Sequence, residues 1–171
     1  MPHEEFLIID GYNVINAWPE LIKLKEKNFE HARLKLLQII SNYSGYKGIQ
    51  VIVVFDAHLV RGGVERRECY GNVEVIYSAE GIPADLVIEK LVSTFCVGSR
   101  IFVATSDKTE QEMILGKGAY RISSRELLLE VEETVRDNKI FHKENQYRPY
   151  RLDSHLTDEV KVILEKWRRG K

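Results

Sequence analysis

The sequence predicts a mainly parallel α/β sheet with helices on both faces. Three apolar runs of strand length, each closing on an aspartate, alternate with stretches whose apolar residues recur at helical spacing. Unbroken apolar runs, rather than alternating ones, are what strands look like when both faces of a parallel sheet are covered. The 171 residues suit one domain, spanning 1–171, with 139–171 forming a C-terminal arm and helix.

Phe6, Leu7, Ile8 and Ile9 run into Asp10 and Gly11 and make the first strand. Asn28 can cap a helix that carries Phe29, Ala32, Leu36, Leu37, Ile40 and Tyr43, with Gly45 and Gly48 after its end. Residues 51–55 followed by Asp56 repeat the strand design, whereas residues 73–77 alternate and suggest an edge or half-exposed strand. Pro83 suits the first turn of a helix presenting Ala84, Val87, Ile88, Leu91, Val92 and Phe95, closed by Gly98. Residues 101–105 form the third strand and lead to Ser106 and Asp107. Ser123 and Glu126 make a capping box ahead of Leu127, Leu128, Val131 and Val135. Residues 139–154 lack periodicity, and a last helix from about Thr157 aligns Val160, Ile163, Leu164 and Trp167.

Composition narrows the function. At 44% hydrophobic and 30% charged the chain folds, and 25 basic against 26 acidic residues leave it no bulk attraction for a polyanion. Any nucleic acid must therefore meet a local basic patch. No apolar run approaches the ~20 residues of a membrane span, and the first residues lack the basic start and apolar centre of a signal peptide. Cys69 and Cys96 stand alone without Cys-x-x-Cys spacing, which excludes a disulfide scaffold or zinc site and leads us to expect two buried thiols in a cytoplasmic protein.

In an open parallel sheet, ligands sit outside the carboxyl ends of the strands. Asp10, Asp56 and Asp107 all fall at that edge. Asp85 joins them from the first turn of the Pro83 helix, with Glu89 one turn further on the same face. Any one such aspartate more often caps a turn, but four at one rim repel one another unless a cation neutralises them. Hard oxygen ligands suit Mg2+ or Mn2+, and such an ion supports phosphodiester hydrolysis. Asp10, Asp85 and Asp107 are the expected metal ligands, with Asp56 as a further catalytic acid. Asn13, Ser106 and Glu89 are expected in support.

The ordered set Leu7-Ile8-Ile9-Asp10-Gly11-Tyr12-Asn13-Val14-Ile15, Val54-Phe55-Asp56-Ala57-His58, Pro83-Ala84-Asp85 with Ile88-Glu89-Lys90-Leu91, and Ala104-Thr105-Ser106-Asp107 resembles the YacP branch of NYN domains, relatives of PIN-type ribonucleases. The likeness runs to the closing Lys166-Trp167-Arg168-Arg169-Gly170. It implies a PIN-like fold and a metal-dependent endoribonuclease, of the kind whose bacterial members cleave mRNA on the ribosome. Asp10 and Asp85 match the principal catalytic acids of that family, and Asp56 and Asp107 match supporting acidic positions. The chain departs from the pattern at Gly81-Ile82-Pro83-Ala84, where many relatives carry a more polar lead, and at Gly62-Gly63.

RNA would be guided to the acids by Arg61, Arg66 and Arg67 in a glycine-containing loop, and by Arg148 and Arg151 interleaved with Tyr147 and Tyr150 in the arm. Arginine beside exposed aromatics suits phosphate contact and base stacking. His58 is a lesser candidate for a phosphate contact. Two other classes stay open at this point: a non-catalytic RNA- or ribosome-binding module, and a phosphoacceptor receiver-like domain. Paired acids after the first strand would mark a receiver domain, and Gly11 and Tyr12 follow Asp10 instead.

Overall fold

The structure, a computed structural model, describes residues 4–57, 63–95 and 98–146, with side chains as far as residue 139. Six strands, β1 (Glu5–Asp10), β2 (Gln50–Phe55), β3 (Arg66–Tyr70), β4 (Val73–Tyr77), β5 (Arg100–Ala104) and β6 (Tyr120–Ile122), form one sheet in the order β3-β4-β2-β1-β5-β6. Every pairing is parallel except β3 with β4. The helices are α1 (Gly11–Ala17), α2 (Pro19–Lys27), α3 (Phe29–Lys47), α4 (Ala84–Thr94), α5 (Lys108–Gly116) and α6 (Ser124–Gln146). The mainly parallel α/β fold expected from the sequence is the fold observed.

Alternate residues of the central strands feed two separate cores because successive side chains point to opposite faces. Leu7, Ile9, Val51, Val53 and Phe55 pack with Trp18, Leu36, Ile40 and Leu127 on one face. Ile8, Ile52, Val54 and Val103 pack with Val87, Ile88, Val92 and Ile114 on the other. Helices thus cover the central strands on both faces, and the carboxyl ends of those strands stay open.

The helix caps follow the sequence closely. Asn28 Oδ1 accepts from the Glu30 N–H at 2.9 Å, and the Ser123 hydroxyl accepts from the Glu126 N–H at 3.1 Å. Gly48 ends α3 at φ +67°, a left-handed conformation that glycine takes without steric cost, so α3 runs through Gly45 rather than stopping before it. The N-terminal pair α1 and α2 is short. Trp18 links them, its buried indole donating to the Ser124 carbonyl at 2.7 Å.

Several sequence expectations are corrected. Residues 73–77 are an inner strand, and the edge is β3, whose five residues are all exposed. Because Arg66 and Arg67 belong to β3, they lie on a strand and not in a loop. Cys69 is exposed there, where a buried thiol was expected. Helix α6 continues to Gln146, so residues 139–146 are helical instead of irregular. Apart from these corrections, the chain divides by its internal packing into two compact units, Met1–Thr134 and Val135–Lys171. The helix expected from Thr157 lies outside the described residues, as do His58, Arg61, Cys96, Tyr147, Arg148, Tyr150 and Arg151.

Gly11 is required by packing. A Cβ there would enter the van der Waals envelope of the Phe55 ring, which is fully buried and has no room to retreat. We predict that Gly11→Ala lowers unfolding free energy by about 1–3 kcal/mol, the usual cost of overpacking a core, as read from a urea titration. An unchanged midpoint would show that the ring repacks freely.

Candidate active site

The chain leaves β1 toward β2 and β4 on one side, and later returns to place β5 and β6 on the other. The carboxyl end of β1 is therefore the point where strand order reverses, the position at which such sheets bind ligands. Asp10 ends β1 and caps α1, accepting from the Asn13 N–H at 3.4 Å. Asp107 follows β5 and caps α5, accepting from the Thr109 N–H at 2.9 Å. Asp85 stands exposed in the first turn of α4 and accepts from the Leu86 N–H at 2.9 Å.

A fourth acid joins them that sequence reading missed. Glu110, in the first turn of α5, is 3% exposed, and its Oε2 accepts from the Thr105 hydroxyl at 2.6 Å. Its Oε1 is buried with no hydrogen-bond donor among the described residues. The Asp10 and Glu110 carboxyls interact through a side-chain hydrogen bond, which two carboxyls can form only when one of them carries a proton. Burial raises Asp10 to about 6, opposed by hydrogen bonds with the Asn13 N–H and the Glu110 carboxyl and reinforced by the charges of Asp85 and Asp107. Burial likewise raises Glu110 to about 7, opposed by Thr105 and reinforced by Asp10, Asp85 and Asp107. Asp10, Asp85, Asp107 and Glu110 thus share one electrostatic neighbourhood. The signal for Glu110 was its place three residues after Asp107, but an isolated helical Glu looks like a solvated one.

Two expected members have other contacts. Glu89 is engaged by Lys117 Nζ at 3.3 Å, and the same ammonium donates to the Ser93 hydroxyl at 2.6 Å. Asp56 acts on Tyr12, raising its phenol.

Asn13 works as a clasp. Its Oδ1 accepts from the Ser106 N–H at 2.9 Å and from the Ser124 hydroxyl at 2.8 Å, tying the Asp10 helix to the Asp107 loop and to the start of α6. Ser106 contributes its backbone there. Thr105 is locked as well, its N–H donating to the Ile122 carbonyl at 3.1 Å and its hydroxyl accepting from the Asp107 N–H at 3.2 Å.

Beside the acids, toward β2 and β4, lies an aromatic and guanidinium cluster. Arg66 sits over the Tyr77 ring at 4.7 Å, and Arg33 of α3 lies 5.1 Å from Tyr77 and 5.9 Å from Phe55. Arg66 also pairs with Glu68 at 3.0 Å, while Arg67 is held by Glu65 at 3.2 Å and Glu74 at 3.4 Å. Of the two β3 arginines, Arg66 faces the end of β4 nearest the acids, since it registers with Tyr77.

The donor set suits a hard cation. Among the described residues no three Asp, Glu, His or Cys side chains converge to hold a metal by direct contact alone. Mg2+ does not require that, because it keeps several waters and uses one or two carboxylates together with substrate phosphate. The donorless oxygen of Glu110 beside Asp10 is the feature that such an ion would satisfy.

A family model described as the YacP-like NYN domain matches residues 7–169. The Bacillus subtilis (strain 168) protein YacP is 46% identical over 168 residues, covering 97% of this chain and 98% of that one. The crystal structure of Rae1 (YacP) from Bacillus subtilis matches with a TM-score of 0.72 at 47% identity, over 96% of this chain and 95% of that one. A tryptophan-to-leucine variant of the same protein matches with a TM-score of 0.75 at 43% identity, over 84% and 85% of the two chains.

The raised carboxyls predict a pH dependence. Between their ordinary values of 3.8 and 4.5 and their folded values of about 6 and about 7, Asp10 and Glu110 hold more protons folded than unfolded. Stability therefore falls as pH rises through that window, by about 1–2 kcal/mol in cation-free buffer after allowance for screening. Asp10→Asn keeps an N-cap and removes one charge, so it should flatten the decline and raise the melting temperature at pH 8. A wild-type melting temperature that climbs from pH 5 to pH 8 without added cation, and an Asp10→Asn profile parallel to it, would contradict the repulsion described here.

Proposed function

The chain belongs to the YacP-like NYN domain family, and on that premise we propose that it is a divalent-cation-dependent endoribonuclease that cleaves single-stranded RNA, with ribosome-engaged mRNA as its substrate. The observation that carries the proposal is the crowding of Asp10, Asp85, Asp107 and Glu110 at the strand-order switch, where one buried carboxylate oxygen has no donor. Like charges held this close call for a cation, and the fold spends Thr105 and Asn13 on keeping them in place.

When bound, Mg2+ or Mn2+ supplies charge stabilisation at the phosphate and lowers the pKa of an attacking water. Asp10, Asp85 and Asp107 are the residues proposed to hold it. Asp85 and Asp107 are exposed and line the open side, so either carboxylate can accept the proton that the water releases. Asn13 fixes the distance between the Asp10 and Asp107 segments through the Ser106 amide. Arg66, spread over Tyr77, offers a guanidinium for phosphate at the side from which a strand of RNA would approach. Arg33 is half-buried beside the same ring and fixes the platform from below. Arg61, Arg148, Arg151 and Tyr147 extend the proposed RNA path. Among the described residues no helix is long and apolar enough to cross a membrane.

Asp10→Asn and Asp85→Asn should each lower cleavage of a single-stranded transcript by about a hundredfold or more while the protein stays folded, as expected when a metal-bound transition state loses a ligand. Chelation should abolish cleavage, and Mg2+ or Mn2+ should restore it. Wild-type rates in either folded variant, or restoration by Zn2+ alone, would overturn the assignment. Comparing free with ribosome-engaged transcript tests the substrate.

Arg66→Ala should weaken RNA binding and reduce the slope of log affinity against log salt by about 1, with Mn2+ binding unchanged. An unchanged slope would mean that Glu68 and Tyr77 account for all of this guanidinium's contacts.

A further inference from the structure

Glu110 is an expensive residue to bury, and its surroundings say what it is for. A carboxylate that helps only to hold a fold has donors on both oxygens, because an unsatisfied buried charge costs several kcal/mol. Here Thr105 serves Oε2 alone, at 2.6 Å. Thr105 itself cannot drift, for its N–H is on the Ile122 carbonyl at 3.1 Å and its own carbonyl accepts from Gln111 Nε2 at 3.1 Å. The fold therefore fixes one oxygen of Glu110 and leaves the other buried without a donor, and because Ile9 registers with Ala104 the next residues, Asp10 and the Thr105 that holds Glu110, lie side by side at the strand ends. Asp85 and Asp107 are exposed and already accept from backbone amides.

We infer that Asp10 and Glu110 form the inner seat of the cation, with Thr105 as the positioning residue, and that Asp85 and Asp107 act on it from further out through water. This inference rests on the proposed cation dependence and reassigns its centre: Glu110 is a direct ligand, and two of the acids legible in the sequence are outer ones. The arrangement agrees with a cation that takes one or two carboxylates directly and keeps its remaining waters for the substrate phosphate. Thr105 orients Glu110 as outer groups orient metal ligands elsewhere, and such partners change affinity by about 10- to 100-fold when removed.

Mn2+ binding to the full chain, followed by loss of the free-ion electron paramagnetic resonance signal, tests the assignment. Glu110→Gln should weaken binding about tenfold or more, as Asp10→Asn does, and more than Asp85→Asn. Thr105→Val should weaken it, with Thr105→Ser close to wild type. The cation-free melting temperature of Glu110→Gln should equal or exceed that of wild type, which a purely structural glutamate would not allow. Failure of the wild type to bind Mn2+ at millimolar concentration would remove the proposed function and the inference together. Wild-type affinity in Glu110→Gln, with affinity lost in Asp10→Asn, would overturn the inference alone. If Glu110→Gln does not fold, the threonine pair decides: Thr105→Val binding Mn2+ like wild type overturns the inference, and weakened binding rescued by Thr105→Ser upholds it.

Discussion

The contact between the Asp10 and Glu110 carboxyls is the constraint around which the rest of the molecule is organised. A half-buried and a buried acid bond to one another while one carries a proton and repel once both are ionised, so something stronger must fix both. Asp10 is fixed by ending a strand buried on both faces and by capping α1. Glu110 is fixed by Thr105, which is itself anchored to the last residue of β6. The two cores beneath the sheet supply the rigidity, since packed strands and helices hold a geometry that loops alone would relax.

Asn13 and Ser124 carry that rigidity to the open edge. One amide oxygen accepts from both the Asp107 loop and the start of α6, and Trp18 fastens α6 again through the Ser124 carbonyl. Loosening any of these would move Asp107 relative to Asp10 without touching either carboxylate. The guanidinium groups of Arg33 and Arg66 lie to the side, over Tyr77 and Phe55, and each is paired with a glutamate of its own. Positive charge is thus placed where a phosphate backbone could pass, and the acids remain uncompensated where a cation could sit.

The strands that pass through the middle of the sheet were legible because burial on both faces leaves an unbroken apolar run, as in Ile8, Ile9, Val53 and Val54. β3 was not, because an edge strand made of Arg66, Arg67, Glu68, Cys69 and Tyr70 is exposed along its whole length and carries no apolar pattern. α1 and α2 escaped for a different reason: they are seven and nine residues long and are held by Trp18 and Leu21 more than by periodicity. Asp10 and Asp107 could be placed at one rim from strand ends, and Asp85 from the first turn of the Pro83 helix. Glu110 could not, since its burial comes from α5 packing onto Thr105, and the pairing of Glu89 with Lys117 was hidden because the two are distant in sequence.

A crystal of the protein soaked with Mn2+ and measured at the manganese absorption edge shows where the cation sits. An anomalous peak is expected between the Asp10 carboxylate and Glu110 Oε1, with Asp85 and Asp107 reaching it through water. A fully soaked crystal with no peak at the carboxyl end of β1, or with the ion bound elsewhere on the molecule, would contradict that placement.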